Sequence, residues 1–252
     1  MYRWSLVPTL GRDPDEPGRT STPLELFFDL TFVVAVSLAS QNLRFFLSDG
    51  EVVSGIVRFG VMFIGVWWAW MGFTWYGSQF AQEDWLYRLI SLVQMAGAII
   101  FAAGVPAAMN DLDFRVAIIG YVVMRLAMSA NWLRVAREPS EHAALGRRYV
   151  VGIVLIQGLW LASLAFPQTR PYQEWMFLTF AMLEPLVPAI AERGKSVAWH
   201  RYHVAERYGL FTIIVLGESI LASAFAIVNA IQASHDYTKL IILAISAFVI
   251  VS

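Results

Sequence analysis

Asp29, Arg125, Glu184 and Glu218 each stand inside a long apolar run of the sequence. A charge left facing hydrocarbon at mid-depth costs at least about 2.5–3.5 kcal/mol. Residues kept at that cost have two uses. They pair with one another and fix helix packing, or they line a path on which a small ion or proton is held and released. Counted at about 1.5 Å per residue, Arg125 lies about eleven residues into its run, Glu184 about nine and Glu218 about eleven. The three therefore share one level near the middle of the apolar layer, and their opposite signs predict mutual pairing inside a bundle. Glu184 stands in "LEPLVP", where Pro185 and Pro188 each remove a backbone donor and open the helical ladder. Unwound backbone at that depth is tolerated only inside protein or beside a water-filled cavity.

A second group gathers where two runs begin. Glu25 and Asp29, in "ELFFDL", are four residues apart and share a helical face. Thr22, Pro23 and Glu25 form a capping-box pattern, so Glu25 has a local role at a positive helix end. Asp29 lies beyond the first turn and needs a partner. His203 and Arg207, in "HVAERYG", stand at similar depth at the start of another run. His200, His203 and Glu206 follow at i, i+3 and i+6. That spacing spreads them over more than a turn and a half, which disfavours a single metal ion and leaves a proton relay, pairing with Asp29 or a solvated interfacial cluster. No serine–histidine–aspartate set, phosphate-cradling glycine loop or zinc motif occurs, so catalysis on a soluble substrate has no support and no cofactor is expected.

These residues must be held by helices in a bilayer. Of the 252 residues 58% are hydrophobic and 15% charged, and mean hydropathy is +0.58. A soluble domain is nearer half apolar and a quarter charged. The excess falls in runs of about 20 residues, enough to cross a hydrocarbon layer of about 30 Å. Net charge is −1, which argues for no nucleic-acid partner, and cysteine is absent, which excludes disulfides and thiolate chemistry. The expected fold is an all-α polytopic transmembrane bundle, with seven spans and a partial eighth: 24–47, 52–76, 86–109, 114–133, 149–166, 175–191, 207–228 and 239–252. Residues 1–22 form a polar, proline-punctuated tail with no signal-peptide core, and 23–252 form the transmembrane domain. The short last run points to a chain that ends inside a helix.

With the N-terminus in the cytoplasm, the inner segments carry twelve Lys/Arg, among them Arg134, Arg137, Arg147, Arg148, Arg193 and Lys195. The outer loops carry four, Arg44, Arg115, Arg170 and Lys239. Positively charged loops stay inside, so the asymmetry orients the chain. Trp67, Trp68, Trp70 and Trp75 cluster at the inner half of the second span, as lipid-facing belt residues would.

Both motif-bearing runs start on the inner side, six spans apart. Glu25 aligned on Glu206 pairs Thr31 with Thr212, which suggests a six-helix unit over 23–191 and the start of its repeat over 200–252. The two segments also carry a family resemblance. "ELFFDLTFV", at Glu25, Leu26, Phe27, Phe28, Asp29, Leu30, Phe32 and Val33, and "HVAERYGLFTIIVLGES", at His203, Glu206, Arg207, Gly209, Leu210, Phe211, Ile213, Ile214, Leu216, Gly217, Glu218 and Ser219, resemble the signatures of the bacterial low-temperature-requirement protein A (LtrA) family. The resemblance implies a multi-pass protein of the bacterial inner membrane, associated by name with growth in the cold, and members longer than this chain. It implies no molecular activity. The residues favour a transporter or channel, with Asp29, Arg125, Glu184, Glu218, Glu25, His203, Glu206 and Arg207 along the path. A structural or regulatory protein using the same charges as staples and a lipid-modifying enzyme are the alternatives.

Overall fold

The computed structural model of the chain describes residues 6–81, 83–167, 172–194 and 197–233. Two compact units divide the chain, Met1–Arg207 and Tyr208–Ser252. The first contains α1 (Pro23–Ser48), α2 (Val52–Gln79), α3 (Trp85–Asp111), α4 (Arg115–Arg137), α5 (Ala143–Ser163), α6 (Tyr172–Leu183) and α7 (Leu186–Ala191), and two short strands, β1 (Leu10–Gly11) and β2 (Phe80–Ala81). The helix α8 (Arg201–Ala233) contributes its residues through Arg207 to the first unit. In the second unit its helical residues start at Tyr208, whose carbonyl accepts from Thr212 Oγ1 at 2.8 Å.

Among the described residues, six helical segments are long and apolar enough to cross a membrane: α1 to α5 and the joined α6–α7 segment Tyr172–Ala191. The expected seventh span, 207–228, falls within α8, which is not among those six, and the expected eighth, 239–252, lies outside the described residues. The side-chain distribution is inverted relative to a soluble protein. On α3, Ser91 and Gln94 are buried while Leu92 and Val93 are 48% and 42% exposed. On α5, Gln157 is buried while Leu155 is 66% exposed. Water would reverse both choices; a hydrocarbon surround explains them, because polar groups must find partners inside the protein.

The bundle is tightest where α3 meets α4, and glycine is the reason. A Cβ on Gly120 would lie 2.2 Å from Phe101 N and one on Gly104 would lie 2.4 Å from Ala117 N. Backbones without hydrophobic drive from water pack through such small residues. Gly120→Ala should therefore lower stability by about 1–3 kcal/mol or more through overpacking. Gly158→Ala, whose Cβ meets nothing within 4 Å, should be neutral or slightly stabilising, as alanine favours helix. Thermal unfolding in detergent compares them, and equal midpoints would remove the close-approach account.

Residues 6–22 do not stand apart from the bundle. Strand β1 pairs antiparallel with β2, Leu10 opposite Ala81 and Gly11 opposite Phe80, and Arg12 N donates to Gln79 O at 2.7 Å. Val7 N donates to Asp84 Oδ2 at 3.0 Å, and Ser21 N reaches Glu206 Oε1 at 3.3 Å. The tail thus straps the end of the bundle where α2 ends and α1, α3 and α8 begin.

Candidate functional site

Among the described residues of the first unit, two buried charge networks lie between the helices. The one at the tail end is built on the α1 cap. Thr22 Oγ1 accepts from Glu25 N at 3.3 Å, and Glu25 Oε2 accepts from Thr22 N at 2.7 Å, a complete capping box. That local fold fixes the Glu25 carboxylate and leaves Oε1 to face two guanidiniums and an imidazole: Arg19 Nη2 at 3.1 Å, Arg207 Nη1 at 3.5 Å and His203 Nε2 at 3.2 Å. One turn on, Asp29 Oδ1 accepts from Arg207 Nη2 at 2.5 Å and from Trp70 Nε1 at 2.6 Å. Asp29, His203 and Arg207 are fully buried, and the Arg207 guanidinium also lies 5.8 Å from the Trp70 ring and 5.6 Å from Phe73. Aromatic faces stabilise a desolvated cation, which adds to the pairing. Asp29 Oδ2 and His203 Nδ1 are buried with no hydrogen-bond partner.

Trp70 corrects the reading of the tryptophan cluster. Trp67, Trp68 and Trp75 are partly exposed, as belt residues are, but Trp70 is fully buried and holds Asp29. An indole N–H serves either purpose, and only its direction on α2 decides. Of the histidine–glutamate set, His203 joins Glu25. His200 accepts from His203 N at Nδ1 and so presents Nε2–H to Glu16 O at 2.9 Å. Glu206 receives Ser21 N. Among the described residues no three His, Asp or Glu side chains form a group able to hold a metal ion.

The second network lies at the break between α6 and α7. Pro185 and Pro188 interrupt the ladder, as their missing donors require, so Glu184 falls in the two-residue gap and points inward, fully buried. Glu184 Oε2 pairs with Arg125 Nη2 of α4 at 2.7 Å, and Oε1 accepts from Gln157 Nε2 of α5 at 2.9 Å. Gln157 was legible as a polar residue in mid-span but had no charge to draw attention to it. Glu218, expected at the same level, belongs to the second unit. A cavity of about 260 Å³ adjoins Arg125 and opens between Trp68, Trp75, Trp132, Tyr149 and Glu192. Tyr149 OH and Trp75 Nε1 both donate to Glu192 Oε1, at 2.7 and 3.3 Å. Trp68 Nε1 and Arg125 Nε are buried without a partner.

A further ion pair, unread in the sequence, joins Asp84, directly before α3, to Arg134 in the last turn of α4. Asp84 caps α3 by accepting from Tyr87 N at 2.9 Å, and Arg134 Nη2 reaches its Oδ2 at 2.5 Å. Burial alone would raise the Asp84 pKa, but Arg134 and the backbone donors of Tyr87 and Val7 outweigh it and hold the carboxyl below its usual value. A carboxyl depressed in the fold stabilises above its unfolded pKa of about 3.9 and loses that contribution as pH falls through the folded value. The stability gap between wild type and Asp84→Asn should therefore be constant near neutrality and shrink below about pH 4, as followed by unfolding in detergent. A gap unchanged down to pH 2.5 would contradict the assignment.

Outward apolar faces, inward polar ones and ion pairs sealed between helices define a multi-pass helical membrane protein. The chain belongs to the bacterial low temperature requirement A protein (LtrA) family, whose family model matches residues 20–252. It is also similar to RA0937 of Rhizobium meliloti (strain 1021), described as an uncharacterized protein, at 29% identity over 221 residues, 84% of this chain and 52% of the relative. The chain thus spans about half the length of that curated relative. No solved structure matches.

Proposed function

We propose that the chain is part of a membrane transport protein, a transporter or channel, in which the Arg125–Glu184 pair forms the mid-membrane ion or proton site. One observation carries this reading: a buried ion pair sits at a proline-made helix break and its arginine lines a cavity. Pockets with apolar walls and a few convergent polar groups are where ligands bind, and a broken helix is how membrane proteins place polar backbone at depth. Glu25, His203, Glu206, Arg207 and Asp29 form the inner end of the path, and Glu218 the corresponding group of α8, read as a seventh span opening a second, repeat-related unit over 200–252. The Lys/Arg asymmetry supports a cytoplasmic N-terminus in the bacterial inner membrane.

A second reading is favoured for one of the networks. Asp29 and Arg207 are fully buried and do not line the cavity beside Arg125, which suits a staple that fixes α1 against α8. The full-length protein reconstituted in liposomes, with flux of protons and monovalent ions followed by internal dyes, tests the transport reading. Glu184→Gln, measured on the fraction that folds and reconstitutes, should abolish flux. Flux equal to wild type would remove Glu184 from the path.

A further inference from the structure

We propose that the groove between α5 and α7 is a binding site for one anionic phospholipid, with its phosphate at Arg147 and Arg148 and an acyl chain along the helices. The groove has a volume of about 610 Å³ and is walled by Val151, Leu155 and Ile156 of α5 and by Leu183, Leu186 and Ile190 across from them. Leu155 is 66% and Ile190 52% exposed, so the surface faces whatever surrounds the protein, and on a helix pair that crosses a membrane that surround is lipid. Gly152 forms its floor. A Cβ there would meet Val187 Cγ1 at 2.9 Å, so the missing side chain lets α7 lie deep against α5 and leaves a channel beside it.

Charge selects the occupant. Among the described residues, the charged ones lining the groove are Arg147 and Arg148, both exposed and both at the same end. Arg148 Nη1 caps α7 by donating to Ala191 O at 3.2 Å and Arg193 O at 3.0 Å, which fixes its guanidinium at the groove mouth. Arg147 makes no ion pair among the described residues and is available to a phosphate. Arg147 to Leu155 is about 12 Å along a helix, most of the roughly 15 Å that one leaflet of hydrocarbon occupies. An arginine pair above an apolar channel one leaflet deep matches a phosphodiester headgroup above its chain. Basic pockets beside transmembrane helices recognise anionic headgroups on the same principle. The groove lies apart from the Arg125 cavity, and the proposal stands whether or not that cavity conducts.

Full-length protein in detergent, titrated with dioleoylphosphatidylglycerol or dioleoylphosphatidylcholine, tests this by native mass spectrometry and by thermal unfolding. Wild type should retain one phosphatidylglycerol more tightly than phosphatidylcholine, and glycerol 1-phosphate alone should not replace it. Arg147→Gln should weaken that preference about fivefold, and Arg147→Lys should keep most of it. Ala144→Trp, at the exposed rim, should block the groove and lower retention of both lipids. Equal retention of the two lipids by wild type would overturn the proposal. So would a preference untouched by Arg147→Gln, retention of both lipids untouched by Ala144→Trp, or a preference reproduced by glycerol 1-phosphate.

Discussion

Arg207→Ala should be among the most damaging single substitutions in this protein, lowering its stability by about 3–5 kcal/mol. The guanidinium is the positive centre shared by two carboxylates, Glu25 Oε1 at 3.5 Å and Asp29 Oδ1 at 2.5 Å, and all three side chains are buried. Removing it leaves Asp29 with the neutral Trp70 donor alone and an Oδ2 that already lacks a partner. The remaining basic side chains, Arg19 and His203, contact Glu25 and not Asp29. The penalty is that of an uncompensated buried charge rather than of a lost attraction, and this makes a specific demand on the double variant. Asp29→Asn with Arg207→Gln removes both charges, so it should recover most of the loss. Monodisperse yield and unfolding midpoint in detergent measure both. A double variant as unstable as Arg207→Ala would show that packing, not charge, is responsible.

Why some of this was legible and some not follows from the range of the interactions. The Thr22–Glu25 capping box is settled within four residues, and the apolar runs by composition, so both can be read from the chain. The pairing of Asp29 with Arg207, 178 positions apart, could be expected only because both stand at one depth at the start of long runs, and depth replaces sequence distance in a membrane. Arg125 and Glu184 are legible on the same ground, and Pro185 and Pro188 announce the break that aims Glu184 inward.

What could not be read depends on rotation about a helix axis or on contacts with no local signature. Trp70 and Trp67 differ by less than one turn on α2, yet one holds a carboxylate in the core and the other does not. Strands β1 and β2 are two residues each, too short to carry an alternating pattern, so the strap formed by residues 6–22 has no sequence signal. Asp84 was hidden in a turn between apolar runs, although an acid directly before a helix is a capping pattern. The groove between α5 and α7 is made by an absence, the missing side chain of Gly152, which in a chain with 17 glycines does not distinguish itself.

The sharpest division between the two uses of mid-membrane charge comes from removing the Arg125–Glu184 pair entirely. Arg125→Met or Glu184→Met alone should each cost about 3–5 kcal/mol, because each leaves one charge sealed between α4, α5 and the α6–α7 break. The double variant has no charge left to solvate and fills similar volume, and such replacements are often neutral or stabilising by about 1–4 kcal/mol. Gln157 loses its carboxylate acceptor in the double variant and offsets part of that gain, since its amide then lacks a partner. Arg125→Met/Glu184→Met should therefore fold at least as well as either single variant, by several kcal/mol in unfolding midpoint terms. A pair kept only to hold helices together is dispensable in that protein, and the reconstituted double variant would behave as wild type. If the pair is the site at which an ion or proton is held midway, the double variant is folded and carries no flux. Folded protein with undiminished flux would refute the transport assignment of these two residues, whereas a double variant no more stable than the singles would show that the cavity beside Arg125 depends on the charges for its shape.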